Sequence, residues 1–182
     1  MSRPTQILKH EHRLIEQALR ALDGMVLAFQ AGVPVTPEAL EQMLDFITNF
    51  ADGYHHAREE TILFPMLEPH GAVLKPEAVD FLRREHERER RLIHDLNTAM
   101  RDVRDGTAGA IEHFLMLARQ FGDHLIEHIR REDSLLFTLI EELLPDTVRD
   151  AMLRRLQEPA GKPDLMGHYE KLAASLERDW VI

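Results

Sequence analysis

The sequence predicts an all-α protein, an antiparallel up-down-up-down four-helix bundle followed by a C-terminal helical extension. Two observations support this fold class. Apolar residues recur at helical spacing along four long segments, and short runs of turn-forming residues separate these segments. In addition, a pattern of histidine and glutamate in the first half of the bundle returns in the second half. We expect residues 1–144 to form the bundle and residues 145–182 to form the extension.

The first two helices are predicted on either side of a turn at residues 32–35. The apolar residues of the first segment form one stripe, which contains Leu8, Ile15, Leu19, Leu22, Val26 and Phe29. Thr36 suits the N-cap of the second helix, because its hydroxyl can accept a hydrogen bond from a backbone N–H of the first turn. Pro37 suits the first helical position, because proline lacks the backbone N–H that would have no partner there. This helix is expected to end near Leu67, since a proline and a glycine follow within residues 69–71.

The third and fourth helices are predicted around a turn at residues 105–107. The third runs from about Pro76 to Arg104, and the fourth carries an apolar stripe between Phe114 and Leu139. Each of the three connections is short, and short connections favour antiparallel neighbours. The four helices are therefore expected to alternate in direction.

The segment after the bundle is predicted to hold two more helices. Asp146 is expected to cap a short helix that ends near Gln157, residues 159–163 to form a loop, and residues 164–180 to form the last helix. The sequence leaves two roles open for the last helix, which can pack on the bundle or form the contact of a homo-oligomer.

Composition excludes several classes of function. The chain has 22 basic and 32 acidic residues, a net charge of −10, which argues against non-specific binding to nucleic acid or to an anionic membrane. It has no cysteine, so disulfides, zinc fingers and thiolate-held iron–sulfur clusters are excluded. No apolar run approaches the ~20 residues that span a bilayer, and no apolar signal region follows the N-terminus. We expect a soluble, cytoplasmic protein without a membrane partner.

The repeated pattern consists of a Glu-His pair and, further along the chain, a histidine and a glutamate one helical turn apart. The Glu-His pairs occupy residues 11–12 and 85–86, and the two His-x-x-x-Glu motifs occupy residues 55–59 and 128–132, so both elements recur at almost the same offset. Residues i and i+4 share one face of a helix. The pattern identifies six candidate metal ligands: His12, His55, Glu59, His86, His128 and Glu132.

The turns predict that these six side chains lie in one layer. His12 precedes the centre of the first turn by about as many residues as His55 follows it, and both helices rise ~1.5 Å per residue. His86 and His128 are balanced in the same way around Gly106. In an antiparallel bundle all four histidines therefore lie at one height.

Two bound cations would explain such a layer. Buried carboxylates cost several kcal/mol each unless they are paired, protonated or metal-bound. Imidazole and bridging carboxylates together suit a pair of borderline ions such as iron or manganese, with Glu59 and Glu132 as the bridges. Each ion would take one histidine from the 12/86 set and one from the 55/128 set, which leaves open positions for a small ligand.

Two other interpretations carry less weight. An isolated His/Glu pair at i,i+4 is usually a surface contact worth a few tenths of a kcal/mol, but the repeat, the apolar stripe and the common height argue against that interpretation here. Ferritin-like di-iron bundles use a glutamate three residues before a histidine, and no histidine of this chain has one.

The motifs resemble those of the hemerythrin-like (HHE) family over about residues 5–144. The resemblance rests on Glu11-His12, His55-His56-x-x-Glu59-Glu60-x-x-Leu63-Phe64-Pro65, Glu85-His86 and His128-Ile129-x-x-Glu132-Asp133-x-x-Leu136-Phe137. Members of that family are four-helix bundles with a non-heme di-iron centre. The resemblance implies that the six candidates hold two iron ions with an oxo or hydroxo bridge, with zinc or manganese as alternative metals.

One position departs from the oxygen-carrying members of the family. They have a histidine four residues after the ligand of the third helix, where this chain has Arg90. One of five histidines is therefore expected to be missing, which leaves one ion short of a ligand and argues against reversible oxygen carriage. His124 and Glu89 are candidates to compensate, and Arg90 is expected to pair with Glu89 or Glu132 or to extend outward.

The other polar residues near the motifs are expected outside the ligand set. His56 and Glu60 are assigned to contacts around the metal or to a solvated face, and Asp133 is expected to be a poor substitute for Glu132 because neighbouring helical residues point about 100° apart. The remaining histidines are assigned to the surface: His10, His70, His94, His113 and His168.

The favoured function is binding or sensing of dioxygen, nitric oxide or peroxide at the di-iron centre. On this interpretation the protein is a binding module, and no catalytic residue is assigned. The alternatives are a di-iron enzyme that decomposes peroxide, acts as an oxidase or repairs iron centres, and a structural bundle that holds zinc or another ion. A sensory signal would have to leave through a partner or through the C-terminal helices.

Overall fold

The computed structural model describes residues 3–70, 76–158 and 165–181, and it confirms the all-α fold over these residues. Four long helices form the bundle and two shorter helices follow. They are α1 (Pro4–Gln30), α2 (37–67), α3 (Pro76–Arg104), α4 (110–143), α5 (Asp146–Gln157) and α6 (Leu165–Trp180). The predicted positions of all six helices are confirmed, while the predicted loop at 159–163 lies outside the described residues.

Two of the bundle helices change their hydrogen-bonding pattern along their length. Helix α2 starts as an α-helix at Pro37–Asp45, is π-helical over Phe46–His56 and again over Glu59–Leu63, and returns to α-helix at Phe64–Leu67. Helix α4 is α-helical over Ala110–Arg131, π-helical over Glu132–Leu136 and α-helical over Phe137–Leu143. The wider i→i+5 turns are rare and occur frequently at functional sites. Both helices adopt them around the predicted metal ligands.

The helix ends follow the local chemistry of the sequence. The Thr36 hydroxyl accepts the backbone N–H of Ala39 at 3.3 Å, which confirms it as the N-cap of α2. Gly32 has a φ of 77°, a left-handed conformation that favours glycine. The predicted cap at Asp146 is wrong by one residue, because Pro145 occupies the cap position and Asp146 opens the helix. There its carboxylate faces the positive end of the helix dipole.

The bundle has two hydrophobic clusters with a polar layer between them. One cluster fills the end of the bundle near the α1–α2 and α3–α4 turns, and the other fills the opposite end. Along α1 and α3 the chain passes from the second cluster to the first, and along α2 and α4 it passes from the first to the second. The four helices therefore alternate in direction, as predicted.

The two C-terminal helices pack on the bundle of their own chain. Met152 and Leu156 of α5 enter the second hydrophobic cluster, and Tyr169, Ala173 and Leu176 of α6 enter the first. These contacts give the last helix the packing role that the sequence left open, and a contact between subunits stays a prediction.

The close crossing of α1 and α6 requires a glycine. A Cβ added to Gly24 would lie 1.8 Å from the carbonyl oxygen of Trp180.

Among the described residues, no helix has both the length and the apolar character needed to cross a membrane.

Candidate metal centre

All six predicted ligands meet in the polar layer, and all are fully buried. Together with His56 they form two groups of four residues whose donor atoms lie within 4.8 Å of one another. We define the first cluster as His12, His55, Glu59 and Glu132, and the second cluster as His56, Glu59, His86 and His128.

Two glutamates connect the clusters. The two carboxylate oxygens of Glu59 lie 3.6 Å from His55 Nε2 and 3.4 Å from His86 Nε2. A single oxygen of Glu132 lies 3.3 Å from both His12 Nε2 and His128 Nε2. Each carboxylate therefore contacts one histidine of each cluster, which is the arrangement expected of bridging ligands.

Four further carboxylates fix the orientation of the imidazoles. Each contacts the Nδ1 atom of one histidine: Asp133 that of His12, Glu11 that of His55 and Glu60 that of His86, each at 2.8 Å, and Glu85 that of His128 at 3.1 Å. When Nδ1–H donates to a carboxylate, the neutral ring presents the lone pair of Nε2 on its other side. We call these four residues the outer carboxylates.

Every outer carboxylate has an arginine partner. The pairs are Glu11 with Arg58, Glu60 with Arg90, Glu85 with Arg131 and Asp133 with Arg13. By contrast, Glu59 and Glu132 have no lysine or arginine within ion-pair distance among the described residues. The negative charge of the outer carboxylates is compensated within the chain, and that of the two bridging glutamates is not compensated by any described lysine or arginine.

Several buried atoms of the centre lack a hydrogen bond to any part of the chain that the structure describes. Both carboxylate oxygens of Glu59 and of Glu132 are in this group, as are the Nε2 atoms of His12, His55 and His56. The Nε2 atoms of His86 and His128 lie 3.2 Å apart, so in the absence of a metal one ring can donate a proton to the other, and both nitrogens can face a shared cation once that proton is lost. Unsatisfied buried polar groups are costly, and a cation in each cluster would satisfy them. Imidazole nitrogen and carboxylate oxygen are donors that suit iron, manganese and zinc.

A comparison with protein families agrees with this chemistry. The family model for the hemerythrin HHE cation-binding domain matches residues 3–140. The chain belongs to this hemerythrin family. Comparisons with curated proteins and with solved structures gave no match.

His56 is the main difference between the predicted and observed centre of this hemerythrin-family protein. The prediction of a solvated face is wrong, because the side chain is fully buried and stacks on the His86 ring with 4.1 Å between ring centroids. His55 and His56 contact different clusters because consecutive helical residues point about 100° apart. The double histidine in the sequence was the available signal. With His56 the layer has five histidines. The sequence predicted only four, because Arg90 occupies the position of a histidine in the oxygen-carrying members, and this prediction is corrected.

Arg90 and its neighbours take roles outside the clusters. Arg90 donates to Glu60 at 2.7 Å and to Asp52 at 2.9 Å, so the predicted pairing with Glu89 or Glu132 is wrong. Glu60 confirms its predicted place in the contacts around the metal residues. The roles of Glu11 and Glu85 were missed, although the glutamate before each helix histidine in both repeats was a visible signal.

In the absence of a metal the centre holds protons instead. Burial raises the pKa of Glu59 to about 7, and the nearby Glu132 carboxylate acts in the same direction. Burial opposes the charged form of His12 and His86, but hydrogen bonds to carboxylates outweigh it and raise the pKa of each to about 9. Binding of metal would therefore displace protons from this layer.

Proposed function

We propose that this hemerythrin-family protein holds two iron ions and binds or senses dioxygen, nitric oxide or peroxide at the ion of the first cluster. The unequal number of imidazoles in the two clusters supports this proposal. The first cluster has two imidazoles and the carboxylates of Glu59 and Glu132, whereas the second has three imidazoles and Glu59. Glu132 reaches the second cluster through one oxygen, 3.3 Å from Nε2 of His128. A metal in the first cluster would have fewer imidazole ligands and more room for a small ligand.

The surroundings of the first cluster support the same assignment. The His12 ring stacks on Phe137 with 5.3 Å between centroids, so one wall of this cluster is aromatic. The repeat of the His-x-x-x-Glu motif aligns His56 with Ile129, which is fully buried and has no donor atom in its side chain. The first cluster therefore has no counterpart of the third imidazole at this position.

The chain itself would orient the donors and keep water away. The outer carboxylates hold Nε2 of four histidines toward the centre, their arginines keep those carboxylates compensated, and a hydrophobic cluster covers each side of the layer. Bound iron would supply redox chemistry and an open coordination position. Carboxylate bridging favours iron or manganese over zinc as the resident pair.

Metal analysis combined with ligand titration tests the proposal. Protein expressed in iron-replete medium should contain two iron ions per chain, and the ferric protein should bind azide with a change in its visible absorption. Replacing Ile129 by histidine should supply the first cluster with a third imidazole and weaken azide binding at least about tenfold, the scale on which a coordinating group affects such sites. Leu125→His, at a buried position one turn earlier, controls for the added side chain.

Three results would contradict the proposal. They are occupancy by zinc under iron-replete conditions, fewer than two iron ions per chain, and azide binding that Ile129→His leaves unchanged. Rapid catalase or oxidase turnover by the iron-loaded protein would favour the enzymatic alternative.

A further inference from the structure

We propose that Glu89 is a third metal-binding carboxylate and belongs to the second cluster alone. This inference rests on the metal centre proposed above and adds a ligand to one of its two ions. It would make the two ions differ in charge environment as well as in the number of imidazoles.

The first argument concerns charge compensation. The outer carboxylates each have an arginine, while the bridging Glu59 and Glu132 have none among the described residues. Glu89 is fully buried on α3, and within residues 3–70, 76–158 and 165–181 its ion-pair partners are two histidines, with no lysine or arginine among them. A buried carboxylate without a cation is strongly unfavourable. Glu89 therefore resembles the two bridging glutamates and differs from the four outer carboxylates.

The second argument concerns the direction of its two oxygens. His124 contacts Oε1 of Glu89 through Nδ1 at 2.9 Å, which holds the carboxylate in place. The other oxygen, Oε2, has no hydrogen bond within the described chain and lies 3.4 Å from Nε2 of His56, whose ring nitrogens also lack hydrogen bonds there. Two donors that are each about 2.1 Å from one ion, at right-angled to tetrahedral spacing, lie roughly 3.0–3.4 Å apart. The separation of Oε2 and Nε2 thus matches a shared cation.

The third argument comes from the repeat, which lacks this group on the other side. When the two Glu-His pairs are aligned with each other, Glu89 of the second half corresponds to Ile15 of the first half. The register of the two His-x-x-x-Glu motifs aligns His124 with Ala51 and His56 with Ile129. All three counterparts are buried and apolar. The Glu89–His124–His56 group therefore distinguishes the second cluster from the first and is not a copy of the repeated motif.

An extra anion at one ion has a defined electrostatic consequence. A carboxylate stabilises the higher oxidation state of the metal that it faces, because the charge difference between the two states acts directly on it. The ion of the second cluster should therefore be harder to reduce and harder to remove than the ion of the first. Small-ligand chemistry would then concentrate at the first cluster.

The test compares Glu89→Gln with Glu87→Gln in the full-length protein. Glutamine keeps the shape of Glu89 and removes its charge, and Glu87 is an exposed residue of the same helix. Chelator competition with Mn²⁺ or Fe²⁺ should show a loss of at least about tenfold in affinity for one of two ions in Glu89→Gln. In ⁵⁷Fe-loaded protein, Mössbauer spectra should show one iron environment altered and the other retained, and the midpoint potential of one ion should rise. Glu87→Gln should match the unmodified protein in all three measurements.

The inference is overturned if Glu89→Gln binds both ions with unmodified affinity, spectra and potential, since Glu89 would then be only a hydrogen-bonding partner of His124. If Glu89→Gln does not fold, Glu89→Asp retains the charge but withdraws the oxygens by one methylene, and the same loss at one ion is expected. Failure of the proposed function is a separate outcome, because the unmodified protein would then not hold two iron ions at all.

Discussion

At the scale of single residues, neighbours in the chain divide the work of the centre. Glu59 bridges the clusters while Glu60 orients His86, and Glu132 bridges them while Asp133 orients His12. This division follows from helix geometry, because residues one position apart point about 100° apart and cannot face the same ion. A pair of adjacent acidic residues on a helix can therefore supply one metal ligand and one carboxylate that supports the ligand of another helix.

The division predicts which substitutions remove metal. His55→Ala and Glu59→Ala should lower the metal content, and so should the repeat-related His128→Ala and Glu132→Ala. Each deletes a donor atom of the buried layer. His70→Ala and His168→Ala, outside this layer, serve as controls and should keep the unmodified content. Elemental analysis after purification makes the comparison, and two metals per chain in both His55→Ala and His128→Ala would place the site elsewhere.

At the scale of helices, α5 is connected to the first cluster by a buried arginine. Arg58 donates to the carbonyl oxygen of Leu156, in the last turn of α5, and also to Glu11, which orients His55. Carbonyls at a helix C-terminus carry partial negative charge and favour a cation. The repeat-related Arg131 contacts Glu85 but remains 44% exposed, and its hydrogen bonds within the described residues include no helix end.

This contrast predicts unequal effects of two matched substitutions. Arg58→Met leaves a buried carboxylate and a helix end without their cation, so it should lower the free energy of unfolding by about 3–5 kcal/mol. The Arg131 side chain is 44% exposed, so water can take its place at Glu85, and Arg131→Met should cost about 1 kcal/mol or less. Denaturant titration measures both values, and hydrogen exchange should show faster exchange of α5 amides in Arg58→Met alone. Equal costs for the two variants, or unchanged exchange in α5, would contradict the connection.

At the scale of the whole molecule, the fold was largely predictable because its signals are local. The helices and their directions follow from local signals in the sequence. The apolar periodicity predicts each helix, Thr36 marks the start of α2, and Gly32 and Gly106 mark two of the turns. The six repeated side chains could be found for the same reason. Other features depend on which faces of different helices meet, and the sequence does not specify this. They are the role of His56, the lack of an arginine partner for Glu89 among the described residues, and the contact of Arg58 with α5. The π-helical turns also escaped prediction, since no local residue pattern specifies them.

The polar layer predicts how stability depends on metal and pH. In the metal-free protein, folded-state pKa values of about 9 at His12 and His86 exceed the usual 6.5, so their protonation stabilises the fold below pH 6.5 and this contribution is lost as the pH rises to about 9. The pKa of Glu59 is raised to about 7, so its protonation also stabilises the fold at low pH, and this contribution is lost as the pH rises from 4.5 to about 7. Burial lowers the pKa of His55 and His56, so their neutral forms lose stability below pH 6.5 and oppose this trend near pH 5. A chelator should lower Tm more at neutral pH than near pH 5, by a margin that these two histidines reduce, and the loss should widen toward pH 9.

Thermal melts with and without chelator at pH 5, 7 and 9 measure this dependence. Metal-loaded protein is the reference, because metal replaces the protons that titrate in this range. A metal-free protein that melts at the temperature of the metal-loaded form would show that the layer is stable without a cation. A difference that narrows toward pH 9 would show that the histidines do not carry the effect.

The bridging positions of Glu59 and Glu132 also set the earliest moment in synthesis at which the centre can be complete. The α1–α2 hairpin brings His12, His55 and Glu59 together, but the fourth donor of the first cluster is residue 132 of 182, and the second cluster needs His128. A chain emerging from the ribosome therefore holds only partial donor sets until most of α4 has been made and the two hairpins have docked. A metal ion captured before that point would have three donors at most in the first cluster and could dissociate. On the proposed function, stable loading would occur at the end of folding, and a retained pair of ions would mark a chain whose two hairpins have docked.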